Sequence, residues 1–143
     1  MIARLVAVLA LVLGQTALAE APAFEPVPAA EADLSALKWQ SRAVVVFADS
    51  PNDPAFGEEM RLLQAGWAEL AARDVVVITD TDATDPSPIR LKLRPRGFML
   101  VLIDKDGQIN LRKPFPWDAR ELSRAIDKTP IRREELRNRP PSP

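Results

Sequence analysis

The chain of 143 residues has no cysteine, no histidine and no tyrosine, and only five glycines. Without a thiol there is no disulfide, no thiolate nucleophile and no resolving partner, so disulfide exchange and thiol-based peroxide reduction lack their reacting atom. The missing imidazole removes Ser-His-Asp and Cys-His catalysis, and with the missing thiolate it removes the usual zinc and haem ligands. An excess of one charge is lacking too. Nineteen basic residues stand against twenty acidic ones, which leaves no field to draw the chain to nucleic acid or an anionic membrane. What remains for chemistry is carboxylate, hydroxyl, lysine and arginine, and stability must come from packing and hydrogen bonds alone.

The opening residues read as a secretory signal: Arg4 is the positive flank, Leu5 to Leu13 the apolar run, and Ala17-Leu18-Ala19 the small-x-small cleavage site. The apolar run falls well short of the roughly 20 residues a spanning helix needs. The expected product therefore starts at Glu20, has no membrane span, and is periplasmic or secreted. Residues 20–32 (EAPAFEPVPAAEA) are proline-rich and aperiodic, which predicts a flexible linker, and residues 137–143 (RNRPPSP) predict a disordered tail. The fold is expected in residues 33–136, one domain by length.

Within that span Asp33 to Trp39 predicts a short helical lead-in, and Ala43 to Ala48 (AVVVFA) a strand buried on both faces. Asp53-Pro54 supplies an N-cap followed by a first-turn proline. Phe56, Met60, Leu63, Trp67 and Leu70 then recur at helical spacing, with Glu58, Glu59, Arg61 and Gln64 assigned to the opposite, polar face. Val75 to Thr79 (VVVIT) is a second buried strand. Strand, helix and strand within roughly 35 residues form a right-handed parallel unit. A short helix is expected around Pro88 to Leu93. Phe98 to Ile103 and Gln108 to Arg112 flank Asp106-Gly107, a hairpin signal. Asp118 with Glu121 forms a capping box ahead of a last helix that ends before Pro130. The order β-α-β then β-β-α predicts a thioredoxin-like, three-layer α/β/α domain with a four-stranded mixed sheet.

Three segments, Phe47-Ala48-Asp49-Ser50-Pro51-Asn52-Asp53-Pro54, Leu102-Ile103-Asp104-Lys105-Asp106-Gly107 and Ile126-Asp127-Lys128-Thr129-Pro130-Ile131-Arg132-Arg133-Glu134, resemble in order and spacing the domain of unknown function numbered 4174, the prokaryotic DUDES domain. The resemblance implies a relative of thioredoxins and peroxiredoxins, in a family whose animal members occur in secreted proteins of matrix and adhesion, and it brings no established catalytic residues. Redox-active thioredoxin relatives carry cysteine after the first strand, where this chain has Ser50 to Asp53, and a cis-proline before the third, where it has Gly97-Phe98. Pro95 lies close by. The family's usual Met-Pro-Met is here Thr129-Pro130-Ile131.

The candidate site is the sheet edge where parallel strands end, the common ligand position of open α/β sheets. In thioredoxin topology the first strand lies between the second and the antiparallel third, which gathers Asp49, Asp53, Asp80 and Asp82 beside Arg94 and Arg96. At least one ion pair is expected between Arg94 or Arg96 and those carboxylates. Asp49 and Asp53 equally suit turn and capping roles. Asp80, Asp82 and Asp85 offer hard oxygen ligands for Ca²⁺ or Mg²⁺, yet lack the glycine turn and terminal glutamate of an EF-hand loop; no metal or other cofactor is expected. Ser50 has no SxxK or GxSxG frame around it. Trp67 belongs to the apolar stripe. Phe115 and Trp117 are either core or an exposed aromatic anchor. Arg132, Arg133, Arg137 and Arg139, mixed with Glu134 and Glu135, read as a solvated helix face. The leading expectation is a non-catalytic binding or adaptor module of the cell envelope, holding a protein or small ligand; the alternative is a carboxylate- or metal-dependent hydrolase at the strand ends.

Overall fold

The computed structural model describes residues 22–141, so the expected signal segment 1–19 lies outside the described residues, as do the last two residues of the tail. The elements in chain order are β1 (Val27–Pro28), a 3-10 turn at Ala29–Glu31, α1 (Leu34–Leu37), β2 (Arg42–Phe47), α2 (Pro54–Ala65), α3 (Trp67–Ala71), β3 (Val75–Asp80), α4 (Pro88–Leu93), β4 (Met99–Ile103), β5 (Ile109–Lys113), α5 (Ala119–Asp127) and α6 (Pro130–Arg137).

Every residue of β2 is buried, as its unbroken β-branched run requires of a central strand. It runs parallel to β3, with Val44 opposite Val77, and antiparallel to β4, with Val45 opposite Val101. The sheet order is β1-β3-β2-β4-β5, five strands where four were expected. The extra strand comes from the proline-rich segment read as a linker: Val27 and Pro28 pair in parallel with Ile78 and Thr79. Proline is tolerated there because an edge strand is paired on one side only. The same segment is held further back, where the Trp67 indole Nε1 donates to the Pro22 carbonyl at 2.8 Å and meets the Phe24 ring edge-on at 5.3 Å.

Alternation along β2 divides the core between the two sheet faces. Val44 and Val46 meet Leu63, Leu70, Leu122 and Ile126 from α2, α3 and α5, while Ala43, Val45 and Phe47 meet Ile89 and Leu93 from α4. Each fully buried leucine or isoleucine contributes about 1.5 to 3 kcal/mol of transfer free energy. The expected stripe does face the core, but as two helices: at Gly66 any Cβ would collide with Ala119 of α5, so the chain breaks there to let α5 close in. Helix starts follow the caps, with Asp53, Ser87 and Thr129 each receiving a first-turn N–H and Asp118 completing its box with Glu121. α5 ends before Pro130 as anticipated but is not the last helix: Pro130 opens α6, a first-turn position where its missing N–H costs nothing. The Asp104–Gln108 turn of the hairpin closes on Gly107 at φ +84°, a conformation that glycine adopts without strain.

Candidate functional site at the strand ends

The parallel pair finishes with Phe47 opposite Asp80, and Ala48 N–H donates to the Asp80 carbonyl at 2.9 Å. Asp80 is buried, and its partner is Arg90 on α4. The guanidinium gives Nε to Asp80 Oδ1 at 3.1 Å and Nη2 to the same oxygen at 2.9 Å, and Nη2 also reaches the carbonyl of Ala48 at 2.8 Å. Ser87 Oγ donates to Asp80 Oδ2 at 2.6 Å while accepting from Arg90 N–H at 3.0 Å. One hydroxyl thus caps α4 and fixes the acid. Beneath, the Phe47 ring centroid lies 5.4 Å from the guanidinium carbon. Burial acts to raise the pKa of Asp80, but the hydrogen bonds from Arg90 and Ser87 outweigh it and hold the carboxyl below its ordinary value.

The expected edge is therefore assembled, with a different arginine. Arg94 and Arg96 are exposed, and among the described residues neither has a carboxylate within the 4.0 Å ion-pair limit. Arg94 sits at the α4 C-cap in the left-handed conformation, φ 50°, past the turn of helix that faces the strand ends. Arg90, flanked by the buried Ile89 and Leu93, is on that inward turn. The helical spacing of Ile89 and Leu93 was the signal that could have found it. Asp49 is exposed, with Oδ1 3.9 Å from Arg90 Nη1. Asp53 caps α2 by accepting from Ala55 N–H at 2.9 Å. Asp82 turns outward to accept from Thr84 N–H at 3.0 Å and its hydroxyl at 2.6 Å, contacts that lower its pKa. Ser50 Oγ accepts from Asn52 N–H. Among the described residues no three carboxylates converge on a point that would hold a metal ion.

Two further clusters were not anticipated. At the opposite end of the sheet Arg42 is wholly buried, its Nε 3.2 Å from Asp104 Oδ1, its Nη1 donating to the Arg73 carbonyl at 2.9 Å, and both terminal nitrogens on Glu135 at 3.2 Å. Lys105 Nζ joins Glu135 at 2.7 Å and Asp74 at 2.8 Å, and Arg132 reaches Glu135 at 3.2 Å. Arg132 is buried as well, so the supposedly solvated face of α6 is in part the surface by which that helix is clamped down. Burial would raise Glu135, but hydrogen bonds from Lys105, Arg42 and Arg132 bring it to about 2.

The second cluster centres on Glu59 in α2, fully buried although assigned to the polar face. Its Oε2 accepts from Trp117 N–H at 3.0 Å, and its Oε1 has no partner among the described residues. Burial first, then the nearby charges of Glu121, Glu58 and Asp118, raise its pKa to about 8 against the pull of the Trp117 hydrogen bond. Glu59 lies three residues after Phe56 and four before Leu63, so the inward side of the helix was wide enough to include it. The aromatic pair splits: Trp117 packs against the core with Lys113 Nζ 4.7 Å from its ring centroid, and Phe115 is exposed. Trp67 is half-buried on the same core.

The model of a family described as "Domain of unknown function (DUF4174)" matches residues 88–135, from the first turn of α4 to the clamp residue Glu135. No curated protein matches the sequence. Among solved structures, the reduced 2-Cys peroxiredoxin of Plasmodium vivax is similar with a TM-score of 0.57 at 16% identity, covering 73% of this chain and 85% of that one. Reduced desulfothioredoxin from Desulfovibrio vulgaris Hildenborough is similar with a TM-score of 0.52 at 20% identity, covering 72% and 97%. The chain has a thioredoxin-like fold without cysteine, and its stretch from α4 into α6 matches the DUF4174 family model.

Proposed function

We propose that the protein is an exported, non-catalytic binding or adaptor module of the cell envelope, periplasmic or secreted, which keeps a thioredoxin-like scaffold without its redox chemistry. The observation that carries this reading is the Arg90–Asp80–Ser87 arrangement. The most buried acid of the strand-end edge is neutralised and hydrogen-bonded on both oxygens, so it is spent on holding the loops rather than poised as a general base. A hydrolase would need a carboxylate with a raised pKa or a metal in this cleft, whereas Asp80 and Asp82 are both held below the ordinary carboxylate value.

The test joins chemistry to binding. Purified domain is assayed for disulfide and peroxide reduction and for hydrolysis of generic ester and phosphate substrates, is titrated with Ca²⁺, Mg²⁺ and Zn²⁺ by calorimetry, and is used as bait in envelope extract. The expected result is no turnover, no metal heat, and a specific partner whose capture is lost on changing surface residues at one face. Turnover that survives repurification and falls in an Asp49→Asn or Asp82→Asn variant would reverse the reading in favour of the acid-based enzyme. Export is tested separately by intact mass of the envelope fraction, expected to begin at Glu20; retention of Met1 there would refute cleavage.

A further inference from the structure

The sheet end opposite the Asp80–Arg90 edge carries a cavity of about 310 Å³ between α1, the end of α4, the start of β2, the end of β4 and the hairpin turn. Its floor is core: Ala43, Leu93 and Ile103 are buried, and Leu34 and Leu37 of the single-turn helix α1 form one wall. Lys38 and Lys92 stand among its lining residues. Lys38 folds toward the hairpin turn, where a Cβ on Gly107 would meet its Cε at 3.9 Å.

The polar groups of this cavity are not equally free. Asp104 is engaged by Arg42 at 3.2 Å, by Lys105 N–H at 2.9 Å and by Asn110 Nδ2 at 3.1 Å. Asp106 accepts from Gln108 N–H at 2.9 Å. Lys38 and Lys92 have no carboxylate within 4.0 Å among the described residues. Asp106 likewise has no cation within 4.0 Å among the described residues, so the unpaired charges at the mouth are two cations and one carboxylate, a net positive balance, and behind them lies an apolar floor. The volume stands at the small end of ligand pockets, in which a mostly apolar lining takes the body of the ligand and a few polar groups fix its head.

We infer that this cavity binds a small amphipathic monoanion, a medium-chain carboxylate, with its chain on Leu34, Leu37, Ala43, Leu93 and Ile103 and its carboxylate between Lys38 and Lys92. The inference rests on the reading of the chain as a binding module, and gives that module a ligand class at an end of the sheet remote from Asp80.

The probe is octanoate, compared with octanol and octylammonium, each titrated into the ¹⁵N-labelled domain and followed by amide shifts. Octanoate is expected to move the amides of Leu37, Ile103 and Gln108, with octylammonium silent. Loss of both lysines in a Lys38→Gln/Lys92→Gln double variant should weaken octanoate roughly tenfold, which is what two partly exposed ion pairs together supply, and should leave octanol unchanged. Wild-type and variant spectra with matching dispersion show that the fold is intact. Equal binding of octanol and octanoate, or undiminished octanoate binding by the double variant, overturns anion recognition. Shifts confined to residues outside the cavity, or no shifts with any probe, overturn the site itself, and leave the non-catalytic reading to stand or fall on the turnover assays.

Discussion

Replacing Glu59 by glutamine tests how the buried half of α2 is held. In the wild-type fold burial, with the nearby charges of Glu121, Glu58 and Asp118, raises the carboxyl to about 8 from the ordinary 4.5, against the single hydrogen bond that Trp117 N–H donates to it among the described residues. Below pH 4.5 the folded and unfolded chains both hold this proton. Between 4.5 and about 8 the unfolded chain releases it and the folded chain does not, so stability falls as pH rises. At about 1.36 kcal/mol per unit the interval sets a ceiling near 5 kcal/mol, and structural relaxation and water penetration around the buried carboxylate bring the expected loss to about 3 kcal/mol. Glutamine keeps an acceptor for Trp117 and carries no charge, so Glu59→Gln should lie within about 1 kcal/mol of wild type at pH 5. At pH 9 it should exceed wild type by about 3 kcal/mol, the loss it avoids. Urea denaturation followed by tryptophan fluorescence, repeated across pH 5 to 9, reads this directly, and Trp117 is placed to report it. Parallel curves for the two proteins would refute the reasoning, as would a wild-type stability that climbs with pH.

The other charged groups make predictions of their own. Arg42→Ala leaves the buried Asp104 without its cation and removes one of the three cations on Glu135, and should cost about 3 to 5 kcal/mol by chemical denaturation; a loss below 1 kcal/mol would mean the clamp on α6 is ornamental. Arg90→Leu should cost about 3 kcal/mol by leaving Asp80 unpaired, and adding Asp80→Asn should recover part of that loss, a positive coupling in a double-mutant cycle; additive losses would disprove the pair. Glu135 has the opposite sign from Glu59. Its pKa in the fold is about 2 against an ordinary 4.5, so its contribution is complete above 4.5 and is lost as pH falls toward 2. With part of the side chain in solvent that contribution is about 1 to 3 kcal/mol. Glu135→Gln should lower stability at pH 7 and flatten the acid limb, and an unchanged acid limb would count against it.

Local chemistry announced most of the elements. The run Ala43 to Ala48 could only be a strand buried on both faces, Asp53-Pro54 and Asp118 with Glu121 started helices where caps should, and Asp106-Gly107 turned a hairpin. The errors about charge share one origin: polarity alone assigns Glu59, Arg132 and Glu135 to solvated faces and passes over Arg90. Glu59 sits on the inward side of α2, Arg132 and Glu135 on the docking face of α6, and Arg90 on the inward turn of α4. Helical spacing contained that information for Glu59 and Arg90, because each lies within one turn of two apolar core residues. It contained nothing comparable for Arg42, whose burial depends on helices from the far end of the chain.

The sequence by itself determined what the protein cannot do with thiols or imidazoles, since a missing atom is missing in every conformation, and it determined the order of the central elements from β2 to α5, because strand and helix periods, caps and turns are properties of neighbouring residues. Only the tertiary structure decided which charge meets which. Arg42 finds Glu135 across 93 residues of chain, and Asp80 takes Arg90 over Arg94 because Arg90 lies in the first turns of α4 beside the strand ends, whereas Arg94, about one turn further along, has left the helix at its C-cap with φ 50°. The fifth strand belongs to the same class: nothing in a proline-rich stretch announces pairing, and it pairs because the folded sheet offers an open edge at β3.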